Sequence, residues 1–311
     1  MYQTKAVGNE RVRHILTEYI DTIQKTGNIP VPFLLLMWPS GLGKMSVACD
    51  AAHTLLGWYF HQDSVILEDR TVELEKSHTI KISSDEEITR ADGSIYVDFG
   101  IREVHQRMVK SPAWNLKILI IEDIERMTES AANALLKILE EPLPWRLIIA
   151  TTSQVWGVLP TILSRALLFS FYPTGDESID TYIQEHADLQ SYDRNFLYAL
   201  ATGRPGVLDA LLQNPDALQL LEKAFQTIIL ATWNDSRTKP TMSVLYAALT
   251  PVIKAGLEKT FLQAYIYYAA KTNDRDRVTL AQETYVLCDY AINTEHVFFD
   301  FVSRLYVTSW A

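Results

Sequence analysis

Four short groups of residues in this chain have the types and spacing to do chemistry. Gly41, Gly43 and Lys44 lie between an apolar run, Phe33–Met37, and a helical stretch that begins near Met45. Strand, glycine turn, lysine and helix is the layout of a phosphate cradle. Backbone N–H groups and the helix N-terminus face the anion, and lysine neutralises it. Glu122 and Asp123 follow a second apolar run, Ile118–Ile121. Carboxylates at a strand exit can hold magnesium and polarise an attacking water. Thr151 and Thr152 end a third run, Leu147–Ala150, where a hydroxyl can sense a terminal phosphate. Ser164 and Arg165 close a short helical turn, LPTILSR. An arginine there can reach out to a phosphate held by a neighbouring subunit.

Each group also has a plain structural reading. The phosphate-loop pattern asks for a glycine at position 38 and a hydroxyl residue at position 45. The chain has Trp38 and Met45 instead. Ser46 comes one position late, which turns it about 100° around the helix. The loop is either a working nucleotide site or a turn retained for folding, and these losses weigh toward the second. An indole at position 38 is expected to crowd the turn. At Glu122–Asp123 the longer acid comes first; together with Met45 at the hydroxyl position this alters two of the three magnesium-handling roles and argues against hydrolysis here. Threonine is common at strand exits, and Arg165 fits a surface salt bridge as well as a role in trans. Position alone leaves both pairs of readings open.

The surrounding elements must hold these groups in place. Two short β-branched runs separated by a helix read as buried parallel strands of an α/β sheet. That helix starts near Thr128 and stops at Pro142. An earlier helix spans Glu10–Thr26 and ends at Gly27-Asn28, and another spans Ile101–Val109. From Gln62 to Gly93 the chain carries nine carboxylates against four Lys or Arg, half the net charge of −10. Its alternation predicts a hairpin projecting from the sheet around Asp69–Asp92. Tyr172–Gly175 reads as a linker. Beyond it the pattern is helix alone, with short helices over Glu177–His186, Tyr192–Thr202 and Pro205–Gln213, then longer ones to the end.

Composition narrows the function classes. With 311 residues, 48% hydrophobic and 21% charged, the chain has the length for two or three folded domains. Two distant cysteines, Cys49 and Cys288, make neither a disulfide framework nor a four-cysteine zinc module. Seven histidines show no metal-ligand spacing, so no metal site is expected. No run approaches ~18 apolar residues and no signal-type start is present, so a cytoplasmic protein without a membrane partner is expected. An acidic chain is a poor autonomous binder of nucleic acid.

The run AANALLKILEEP at Ala131–Pro142, followed by LPTILSR at Leu159–Arg165, resembles bacterial clamp-loader subunits of the AAA+ class. The delta-prime type of DNA polymerase III is nearest and gamma/tau next. HQD at His61–Asp63, DFGIREV at Asp98–Val104, GRPG at Gly203–Gly206 and NTEHVFFDF near Asn293 are similar to further elements of that family. The resemblance is strong over Ile29–Tyr172 and collinear beyond. It implies an AAA+ P-loop parallel sheet flanked by helices over 1–172, a helical lid over 173–213 and an all-α collar over 214–311. It implies partnership with gamma/tau and delta subunits, and with the sliding clamp and primed DNA through the complex. It also implies a non-hydrolysing subunit with no ATP of its own, whose Arg165 acts on ATP and magnesium at the adjacent subunit. Ala166 stands where a cysteine is usual, and the family's zinc module is missing. Gly206 replaces the lid arginine of active subunits, with Arg204 two residues earlier. Alternatives are an atypical gamma-type ATPase using Lys44, or an AAA+ adaptor that binds a protein through the acidic segment.

Overall fold

The computed structural model describes residues 8–57, 64–68, 79–81, 88–89, 95–96, 108, 111–112, 115–127, 129–141, 143–233, 241–290 and 293–308. The stretches at His61–Asp63 and Asp98–Val104 lie outside them, as does the helix expected at Ile101–Val109 apart from Met108. The chain forms two compact units, Met1–Tyr172 and Pro173–Ala311.

In the first unit, α1 (Glu10–Thr26) precedes β1 (Phe33–Met37) and α2 (Lys44–Leu56). Then come β2 (Ser64–Glu68), β3 (Thr79–Lys81), β4 (Ile88–Thr89) and β5 (Ile95–Tyr96). They are followed by β6 (Lys117–Ile121), α3 (Glu129–Glu140), β7 (Arg146–Thr152), α4 (Pro160–Leu163) and β8 (Leu167–Ser170). Among the described residues six strands form one sheet in the order β3-β2-β6-β7-β1-β8, every pair parallel.

Period-two alternation makes this sheet a middle layer. Leu34, Leu36, Ile118, Ile120, Leu147 and Ile149 face the apolar stripes of α1 and α2. Phe33, Leu35, Leu119, Ile121, Ile148 and Ala150 face Ala131, Ala132, Leu135 and Ile138 of α3. Both faces are covered, which is why these strands read as unbroken apolar runs. The α1 helix stops at Gly27 (φ 66°), whose N–H bonds to the Ile23 carbonyl.

Thr151 and Thr152 end β7, as the sequence suggested, and their backbone continues the ladder with Leu36 and Met37. In the acidic segment β3 joins the sheet edge parallel to β2, with Ile66 opposite Thr79, and β4 and β5 make an antiparallel pair; the rest of the hairpin expected at Asp69–Asp92 lies outside the described residues. Alternation marks a strand with one polar face, and it carries no information about which strand is its partner.

The second unit is helical: α5 (Asp176–Glu185), α6 (Arg194–Ala201), α7 (Pro205–Leu212), α8 (Pro215–Trp233), α9 (Met242–Lys254), α10 (Glu258–Lys271), α11 (Arg275–Tyr290) and α12 (Thr294–Thr308). One continuous core joins them, from Ile179 and Phe196 through Phe225 and Tyr265 to Phe301. No described helix is long and apolar enough to cross a membrane.

Candidate functional site

Parallel strands place all their carboxyl ends on one edge, so β1, β6 and β7 deliver Lys44, Glu122, Asp123 and Thr152 together. The loop after β1 keeps its glycine geometry. Gly41 has φ 81°, Gly43 φ 72°, and Trp38 adopts φ 90° although it is not glycine. The indole is 40% exposed. The Trp38 backbone takes a conformation that costs an L-residue about 1–2 kcal/mol. Trp38→Gly is therefore expected to exceed Trp38→Ala in stability by about 1 kcal/mol in urea unfolding, since both lose the indole and only alanine keeps the strain. Equal stabilities would show that the loop relaxes.

Lys44 is the first residue of α2 and is buried, with 6% of its surface exposed. Its Nζ donates to the carbonyls of Trp38 at 2.6 Å and Pro39 at 2.8 Å. The ammonium thus caps its own loop. Burial pushes its pKa down, and the negative charges of Asp123, Glu125 and Glu122 partly counter that. Met45 packs into the core of α1 and α2, while Ser46 is exposed.

The carboxylates are also engaged in structure. Asp123 takes a left-handed conformation (φ 46°); its N–H donates to Thr151 Oγ1 at 3.1 Å, and its carboxylate lies 3.6 Å from Arg126 Nε. Thr152 is fully buried, and its Oγ1 accepts from the Gln154 N–H at 3.1 Å. The Thr151 hydroxyl therefore ties the end of β7 to the exit of β6, and the Thr152 hydroxyl closes a local turn. Sequence reasoning did not single out Glu125, yet it ties this edge together. Its Oε1 accepts from the N–H groups of Ser153 (2.8 Å) and Gln154 (3.2 Å). Its Oε2 is buried and finds no hydrogen-bond partner among the described residues. The signal was a third acid two residues past the strand-end pair. Among the described residues no group of His, Cys, Asp or Glu could hold a metal ion.

Ser164 and Arg165 lie elsewhere. Arg165 Nη2 donates to Glu140 Oε1 at 3.0 Å, and its Nη1 donates to the Thr161 carbonyl at 2.8 Å. Ser164 Oγ donates to the same carbonyl at 3.0 Å. Glu140 ends α3, which leads back to the start of β7, and Arg165 precedes the start of β8. These residues therefore sit at the amino edge of the sheet. The seven-residue β7 separates that edge from Lys44 by roughly 20 Å. One chain cannot bring Arg165 and Lys44 to the same phosphate.

Arg204 lies in the second unit. Its guanidinium donates to Thr202 Oγ1 at 2.9 Å and Gln263 Oε1 at 3.2 Å, and burial lowers its pKa.

Residues 14–175 match a family model described as DNA polymerase III, delta subunit. Over 106 residues the chain is 27% identical to DNA polymerase III subunit delta' of Haemophilus influenzae, covering 34% of this chain and 32% of that protein. It is 38% identical over 69 residues to subunit delta' of Bacillus subtilis, covering 22% of this chain and 21% of that protein. It is 24% identical over 216 residues to a probable replication factor C subunit 2 of Dictyostelium discoideum, covering 68% of this chain and 56% of that protein. Each alignment spans less than two thirds of the relative's own length. A Thermotoga maritima DNA polymerase III gamma subunit-related protein aligns in structure at 17% identity and TM-score 0.49, covering 96% of this chain and 99% of that one.

Proposed function

The chain belongs to the family described as DNA polymerase III, delta subunit, as a clamp-loader relative of the delta-prime type with an AAA+ core, and from that premise we propose that it binds no ATP and completes a neighbour's ATP site with Arg165. The observation that carries this reading is the division of the two edges. At the carboxyl edge Lys44 is buried against its own loop carbonyls. At the amino edge Arg165 is partly exposed.

A triphosphate entering the first edge would have to strip Lys44 from Trp38 and Pro39. It would then meet the charges of Glu122, Asp123 and Glu125 with a methionine at the magnesium-hydroxyl position. The loop is in this sense a degenerate P-loop that serves folding. Arg204 is committed to Thr202 and Gln263, so it does not replace the lid arginine missing at Gly206. Membership of the family supports a whole-protein role as well. The chain works in the cytoplasm within a hetero-oligomeric ring with gamma/tau and delta subunits, which opens the sliding clamp and loads it on primed DNA. Residues 173–213 serve as lid and 214–311 as collar, and ATP and magnesium belong to the adjoining subunit.

Calorimetric titration of the purified chain with MgATP tests the first half. No saturable binding is expected up to millimolar nucleotide. Micromolar binding that disappears in Lys44→Ala would replace this reading with an atypical ATPase.

A further inference from the structure

The carboxyl end of α3 carries two acids, Glu140 and Glu141, where a helix already presents partial negative charge. Acids at this end work against the helix unless cations meet them. Two arginines do, in different ways. Arg146, only 2% exposed, donates through Nη2 to the carbonyl of Ile138 at 2.8 Å and to that of Glu141. The end of the helix is therefore already capped by a buried side chain. Glu140 adds nothing to that cap. Its carboxylate is half exposed, and among the described residues its hydrogen-bond and ion-pair partner is Arg165.

Arg165 is held at two points on different nitrogens: Nη1 by the Thr161 carbonyl of α4 and Nη2 by Glu140 of α3. Two fixed points on a planar guanidinium set its plane and leave three of its five N–H groups for another acceptor. Without Glu140 the group would keep one anchor and swing about it.

We infer that Glu140 is a positioning residue for Arg165, fixing the guanidinium plane in which it meets a phosphate on an adjoining subunit. The inference rests on the proposed role of Arg165 in trans. It adds a residue on this chain that tunes the reaction without touching nucleotide.

The test uses the reconstituted complex with the adjoining ATPase subunit, sliding clamp, primed DNA and ATP, with rates normalised to assembled complex. Glu140→Ala is expected to lower kcat at that site by about two- to fivefold, the bias an exposed ion pair can impose, with KM little changed. Glu140→Gln keeps the acceptor oxygen and is expected to fall between the two. Glu140→Ala combined with Arg165→Ala is expected to show no loss beyond Arg165→Ala alone. If Arg165→Ala lowers the rate while Glu140→Ala leaves it unchanged or raises it, the positioning role is overturned and the function of Arg165 stands. If Arg165→Ala itself changes nothing, both fall together. A purely structural role for Glu140 would lower the yield of complex and leave kcat per complex intact, which also overturns it.

Discussion

Replacing Arg165 by alanine is expected to lower ATP turnover at the adjoining subunit's site by about 10³-fold or more. The loss should fall on the chemical step, because an arginine supplied in trans stabilises charge that develops as the terminal phosphoryl group departs. This chain should remain folded and assembled. The Arg165–Glu140 pair is solvent-exposed, with 38% and 55% of the two side chains accessible, and such pairs add about 0–1 kcal/mol to stability. Arg165→Lys is expected to recover little, since an ammonium cannot reproduce the planar two-nitrogen grip. The measurement is steady-state hydrolysis by complexes in which the remaining ATP sites are disabled, beside size-exclusion profiles that report assembly. An unchanged rate at that site would remove Arg165 from the mechanism, and loss of assembly would assign it to the interface instead.

The largest stability effect is expected at Gly203, in the second unit. Its φ is +74°, a region costly to residues with a Cβ. A Cβ there would lie 2.7 Å from the Thr174 carbonyl oxygen and 2.8 Å from Pro173 Cβ. The segment opposite cannot easily retreat, because the Thr174 N–H donates to the Gly203 carbonyl at 2.8 Å and its Oγ1 donates at 3.2 Å. Gly203→Ala is therefore expected to cost about 3 kcal/mol, the sum of a left-handed residue and an overpacked contact. Gly27→Ala separates the two terms. Gly27 has φ +66° with open space around its Cβ position, so only the backbone part, about 1 kcal/mol, is expected. Denaturant unfolding of both variants reads the difference. Equal losses would mean that the Pro173–Thr174 segment yields.

The strand core was legible because burial on both faces leaves a continuous apolar run, as in Ile118–Ile121. The ends of strands were less so. Arg146 opens β7 as a buried polar residue, and Thr151 and Thr152 close it, all outside the apolar signal that hydropathy detects. Gly41, Gly43 and Lys44 were visible as a motif, while the fate of the lysine was not. Side-chain hydrogen bonds to residues 38 and 39 are a property of three-dimensional placement. Trp38 was legible as an odd residue in a glycine turn, while its left-handed backbone at φ 90° and its partly exposed indole were not. Glu125 and Glu140 escaped notice because their meaning lies in what they bond, 28 and 25 residues away in sequence. In the acidic stretch the parallel pairing of β3 with β2 was not legible either, since strand character is local and strand partnership is not.

Asn9 sits just ahead of α1, and its side-chain amide pairs with both backbone groups of Tyr172, donating to the carbonyl at 3.0 Å and accepting from the N–H at 2.8 Å. The chain thus enters and leaves the first unit at the same point on its surface. A module whose two ends are clasped in this way can be inserted, exchanged or rejoined at that point without disturbing the sheet between them. The side-chain amide of Asn9 is the buckle that makes the sheet unit portable.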